Sequence, residues 1–73
     1  MKLSELKCGE RGEIVGFSAD ERLMARLLSI GLGVGERIKV IKLSPRSGAI
    51  ICEANGRLYA LRAEAAELIE VRV

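Results

Sequence analysis

Asn55-Gly56 narrows the folds open to this chain more than any other pair of its residues. Both central positions of a type I′ hairpin turn need φ > 0, and this dipeptide supplies them. The flanking segments AIICEA at 49–54 and RLYAL at 57–61 have strand composition, so they are predicted to pair back to back as an antiparallel hairpin. A lone hairpin is marginal in water, so further strands must cover it.

The rest of the chain supplies them. ERIKVIKL, from Glu36, alternates as a strand with Ile38 and Val40 on one face and Ile41 and Leu43 on the other. Apolar groups on both faces predict a closed or strongly curved sheet. EIVGF at 13–17 is a short strand, and Gly16 inside it marks a bulge or a close backbone approach. LIEVRV is the last strand, preceded by RAEAAE, a single helical turn. Leu3 and Leu6, three apart, make one helical turn or an extended edge, and a turn bounded by Gly9 and Gly12 follows.

One helix interrupts the strands. Ser18, Ala19, Asp20 and Glu21 match the Ser-x-x-Glu capping box and predict a helix start. Leu23, Met24, Leu27, Leu28 and Ile30 then form an apolar stripe predicted to lie on the core, with Arg22, Arg26 and Ser29 on the solvent side. The expected fold is all-β: five short strands closing as a small barrel, one inserted α-helix, and a short helical turn before the last strand. Residues 1–73 form a single domain, since a chain of 73 residues has room for one small core. With no Trp, one Phe and one Tyr, that core is aliphatic.

The segment RLLSIGLGVGERIKVI carries three glycines in five residues, a density that raises the question of a phosphate loop. The Lys-Ser or Lys-Thr of a Walker loop is absent. A dinucleotide fingerprint follows a strand and opens a helix, whereas here a helix precedes the glycines and a strand follows them. Gly31 is therefore expected at the C′ position of the helix and Leu32 at C″, packing back on the last turn, with Gly33 and Gly35 shaping the entry to the strand.

Twelve basic and ten acidic residues give a net charge of +2, too even for strong counterion release from nucleic acid. The longest stretch without a charge, Leu27 to Gly35, is far short of the 18 or so residues a membrane helix needs. Charges stand where a signal peptide would have its apolar segment, so the expected location is cytoplasmic. With no His and no Cys-x-x-Cys, neither a metal site nor a cofactor is expected, and no nucleophile stands beside a base, so the chain is not expected to be an enzyme. Cys52 is expected to be a small buried hydrophobe and Cys8 to sit in a turn.

The order and spacing of these elements resemble the FeoA family of bacterial ferrous iron uptake. The opening LSELKCGERGEIVGF matches a Leu-x-x-Leu-x-x-Gly-x-x-Gly-x-Ile pattern. The middle RLLSIGLGVGERIKV matches a helix ending Leu-x-x-[Leu/Ile]-Gly-Leu, then x-x-Gly and x-x-Ile-x-Val. The end LYALRAEAAELIEV resembles Leu-Arg-x-x-x-Ala-x-x-Ile-x-Val. The chain departs from the family at Val34 and Cys8, where Pro is frequent. The resemblance implies an SH3-like β-barrel and a role as an accessory or regulatory protein, binding the cytosolic side of FeoB, a membrane ferrous iron transporter with a GTPase domain.

Five residues are candidates for partner contact. Arg22 and Arg26 stand four apart on one helix face, where like charges cost about a few tenths of a kcal/mol. Either Asp20, Glu21 or the helix dipole offsets this, or an acidic patch on a partner uses it. Leu32 packs on the helix cap or protrudes, and Val34 divides between core and contact. Arg62 matches the Leu-Arg position of the resemblance and either pairs with Glu64 or Glu67 or meets a partner. Two alternatives stand beside this reading. One is an SH3-like domain related to the C-terminal domain of metal-dependent transcriptional repressors, against which counts that the chain starts with Met1 and has no helix-turn-helix or metal-ligand region before it. The other is a small nucleic-acid-binding barrel, against which count the scarce stacking aromatics. Apolar edge strands leave self-association open.

Overall fold

The computed structural model describes residues 1–18, 21–44 and 46–73. The capping turn through Ala19 and Asp20 and the Pro45 end of the loop before the third strand lie outside the described residues. Five antiparallel strands form one sheet: β1 (Arg11–Phe17), β2 (Arg37–Ser44), β3 (Ala49–Ala54), β4 (Arg57–Arg62) and β5 (Ile69–Arg72), in the order β4-β3-β2-β1-β5. Helix α1 (Glu21–Ser29) is inserted between β1 and β2, and the short turn α2 (Ala63–Ala66) precedes β5.

The hairpin forms as expected, with Asn55 at φ 55 and Gly56 at φ 74 and with Ala54 opposite Arg57. Alternation then carries down each strand. Ile14, Ile38, Val40, Ile50, Cys52, Leu61, Ile69 and Val71 all point inward and are buried. The sheet curls over this aliphatic core, and no polar or charged residue is buried among the described residues.

Two register shifts bend the sheet. One lies between Ile14 and Gly16 in the β1–β5 pairing, where Gly16 was expected to mark a bulge. The other lies between Val40 and Lys42 and corrects the two-faced reading of β2. Ile41 is the extra residue, and although Leu43 pairs with Ile50 after it, both Ile41 and Leu43 are more than a third exposed. A bulge shifts the side-chain phase by one, so apolar residues on both nominal faces did not mean burial on both faces.

The two edge strands do not pair with each other. A 3-10 turn (Leu3–Glu5) and α2 bridge that gap: the turn touches β5, α2 touches β4, and they touch each other. Leu3, Leu6 and Ala66 are buried there. The outer edge of β5 is covered by the N-terminus, where Val71 N–H donates to Met1 O at 2.7 Å and Lys2 bridges to Glu70. Ser18, where the expected capping box begins, borders the undescribed residues Ala19 and Asp20. Its N–H donates to Leu68 O at 2.7 Å and its hydroxyl to Glu70 Oε1 at 3.5 Å, extending the β1–β5 ladder.

Cys52 is fully buried and Cys8 exposed, both as free thiols. Burial pushes the Cys52 thiol from the usual 9.0 up to about 11. The folded protein thus holds this proton in a range where the unfolded chain releases it. Stability attributable to Cys52 should be constant up to about pH 9 and decline as pH rises through about 11. A thiol reagent at pH 8 is expected to modify Cys8 rapidly and Cys52 only once denaturant is added; rapid modification of both without denaturant would contradict the burial.

Candidate functional site: an apolar groove beside the helix stop

Helix α1 ends on a stop built from backbone alone. Gly31 has φ +94; its N–H donates to Leu28 O at 3.1 Å, and Leu32 N–H donates to Leu27 O at 2.8 Å. These are the two bonds of a Schellman motif, with Gly31 at C′ and Leu32 at C″. Leu27 and Leu32 are both buried in the core, the apolar contact that accompanies this motif. Tyr59 on β4 donates its hydroxyl to Ile30 O at 2.8 Å, tying the stop to the sheet. The stop leaves a short connection in which Gly35 has φ +95 and donates its N–H to Ile14 O at 2.8 Å, delivering the chain into β2.

The expected burial of the whole helical stripe is corrected. Leu27 is buried and Leu23 packs half-buried on the core, but Met24, Leu28 and Ile30 are exposed. The helical wheel explains Met24 and Leu28, while Ile30 lies past Ser29, the last residue of α1. At about 100° per residue, Leu23 and Leu27 lie within roughly 40° of one another, while Met24 and Leu28 lie roughly 100° to 140° round from Leu23. That apolar arc is wider than the one contact the small barrel offers, so its Met24–Leu28 side overhangs.

Beneath the overhang runs a groove of about 480 Å³ lined by Phe17, Met24, Leu28, Val34 and Glu36 with Gly31 and Gly33. Leu28 lies so close over Gly33 that a Cβ there would come within 2.7 Å of its Cδ2. Val34 is 64% exposed and Leu28 54%. The groove is apolar apart from Glu36, and it holds no pair of groups suited to proton or acyl transfer.

The five residues singled out from sequence fall in different places. Val34 lines the groove. Leu32 is fully buried as the C″ residue, which removes it as a contact for any partner. Arg22 and Arg26 are exposed on α1, and neither lines the groove. Arg62 is exposed at the end of β4 opposite Ala49, and the expected ion pair with Glu64 or Glu67 does not form. Met24 and Leu28 were missed as site residues because an exposed and a buried apolar stripe have the same periodicity, and Phe17 because it was read only as a strand residue at the end of β1. The available signal was the width of the arc. Among the described residues, no group of three or more His, Cys, Asp or Glu side chains is placed to hold a metal ion.

A curled five-stranded antiparallel sheet with one inserted helix and a helical turn before its last strand is a small barrel of the SH3-like class. The chain belongs to the FeoA domain family, whose model matches residues 1–73. A Campylobacter jejuni protein named as a candidate Fe(2+) transport protein A is 36% identical over 73 residues, 100% of this chain and 99% of that protein. The solution structure of the FeoA protein from Chlorobium tepidum superposes with a TM-score of 0.91 at 38% identity, covering 100% of this chain and 70% of that one. The zinc-complexed FeoA of Stenotrophomonas maltophilia, described as a procaryotic SH3 domain protein, has a TM-score of 0.82 over 99% of this chain and 89% of that one. At 24% identity, that likeness is one of fold.

If the groove residues are surface rather than core, polar substitutions should separate cleanly. Leu28→Ser and Val34→Ser are expected to change unfolding free energy by no more than about 0.5 kcal/mol. Leu27→Ala and Leu32→Ala are expected to cost about 2 to 5 kcal/mol each. Urea unfolding followed by circular dichroism measures both pairs; equal losses across the four would mean the groove is core.

Proposed function

We propose that this protein is an accessory or regulatory component of bacterial ferrous iron uptake that binds the cytosolic side of a FeoB-type, GTPase-containing membrane transporter. Membership of the FeoA domain family along the whole chain supports the iron-uptake context. The observation that carries the binding role is the apolar overhang of Met24 and Leu28 with Val34 beside it. A small monomer seldom leaves contiguous apolar surface uncovered without an interaction to use it. No helix among the described residues is long and apolar enough to cross a membrane, so association with the membrane falls to the partner.

The mode of binding follows from the groove's shape. Apolar side chains of a partner segment fill the space between Leu28 and Val34, and the helix stop holds both walls at fixed separation, so little ordering entropy is lost on docking. Proline-rich ligands do not suit it, because such grooves are lined by aromatics and only Phe17 is present here.

Calorimetry and co-purification with the soluble GTPase domain and with the full-length transporter test the proposal. Binding to one of them is expected, with Leu28→Glu and Val34→Glu weakening it at least about tenfold, the effect of a charge placed in a desolvated contact. The same variants should keep the wild-type melting temperature within a few degrees. Absence of binding to either preparation overturns the proposal. So does binding that both variants retain, or a concentration-dependent dimer that occupies the groove in place of the transporter.

A further inference from the structure

A second cleft, of about 430 Å³, lies on the outer face of the sheet and shares no residue with the apolar groove. Strand register builds it. Arg11 on β1 stands directly opposite Lys39 on β2, and Glu13 stands opposite Arg37 on one side and Arg72 on the other. Like charges directly opposed on neighbouring strands are destabilising. Glu13 gives its carboxylate to Arg72 at 3.4 Å, leaving Arg37 without it. Glu53 is the cross-strand neighbour of Lys39 yet forms no ion pair with it. Arg11, Arg37 and Lys39 thus make no ion pair or side-chain hydrogen bond with any described residue.

Opposed residues have Cβ atoms about 5 Å apart and diagonal neighbours about 7 to 8 Å, so the three long side chains reach a common point above the strands. Arginine forks match carboxylate geometry in a two-bond contact. We infer that this cleft is a docking site for an acidic, extended segment of a protein partner, whose carboxylates relieve the Arg11–Lys39 opposition while Arg37 takes a further one. The cleft's own carboxylates decide against other anionic partners. Glu13 and Glu53 on its walls would face a plane of anionic headgroups as squarely as the cations do, whereas a peptide sets its carboxylates apart and threads between. No aromatic side chain lines the cleft for a base to stack on. The volume is at the small end of the roughly 300 to 1,000 Å³ of ligand-sized pockets and suits a few residues of chain.

The test uses 15N-labelled protein at about 50 mM salt, where exposed charges are weakly screened. It is titrated with the capped pentapeptide Glu-Asp-Glu-Asp-Glu and, separately, with inorganic phosphate and with phosphatidylglycerol vesicles. Amide shifts are expected at Arg11, Gly12, Ile38 and Lys39 with the peptide. The R11Q/K39Q variant should weaken binding about fivefold or more, consistent with the loss of two exposed ion pairs. R57Q/R62Q, which removes the same charge from β4, should leave it within about twofold if the site rather than net charge is read. K39E should abolish binding, because it turns the cation between Arg11 and Glu53 into a second carboxylate beside Glu53. Equal weakening in both double variants overturns the inference, as do shifts spread over all basic residues or a response to phosphate or vesicles with none to the peptide.

Discussion

The stop at Gly31 and Leu32 is the interaction on which the rest of this structure leans. One left-handed residue turns the chain out of α1 and sends the side chain of Leu32 into the core beside Leu27. The helix is thereby pinned at its C-terminal end, and the Tyr59 hydroxyl adds a second tie from β4. Were the chain to continue as helix, Leu32 would leave the core and Gly35 could not reach the Ile14 carbonyl that starts β2. A backbone device of two hydrogen bonds thus sets the angle of the helix, the entry of the second strand and the walls of the groove between them.

Those walls show what a small core can and cannot absorb. A chain this size buries a limited fraction of its surface, and the barrel uses nearly all its inward positions on strand residues. Leu23 and Leu27 fill what remains, so the other half of an apolar helix has nowhere to go. Leaving Met24, Leu28 and Val34 in water forgoes transfer energy of about 25 cal/mol per Å² of apolar surface. That unused energy becomes available to an interface. The aliphatic character of the patch suits broad apolar contact more than stacking or proline recognition.

Much of this was legible in the sequence because it is local. The Asn55-Gly56 turn, the Gly31 cap, the bulge at Gly16, the single turn before β5 and the paired Leu3 and Leu6 each depend on backbone preferences acting over a few residues. Even the rejection of a nucleotide loop was local, since it rested on the order of helix, glycines and strand. The misjudged elements share a different cause. Ile41 and Leu43 looked like a second buried face because the phase change at the β2 bulge depends on β3. Arg62 looked like half of an ion pair with Glu64 or Glu67, and no such pair forms.

By itself, the sequence determined the turns, the helix stop and the set of alternate residues able to form an aliphatic core, because dihedral preferences and side-chain periodicity are properties of neighbouring residues. Only the tertiary structure decided which half of the α1 stripe is covered, that Leu32 is core and Val34 surface, and that Arg11 faces Lys39. Burial and cross-strand neighbours are set by the register of strands far apart in the chain, and one bulge changes which residues meet.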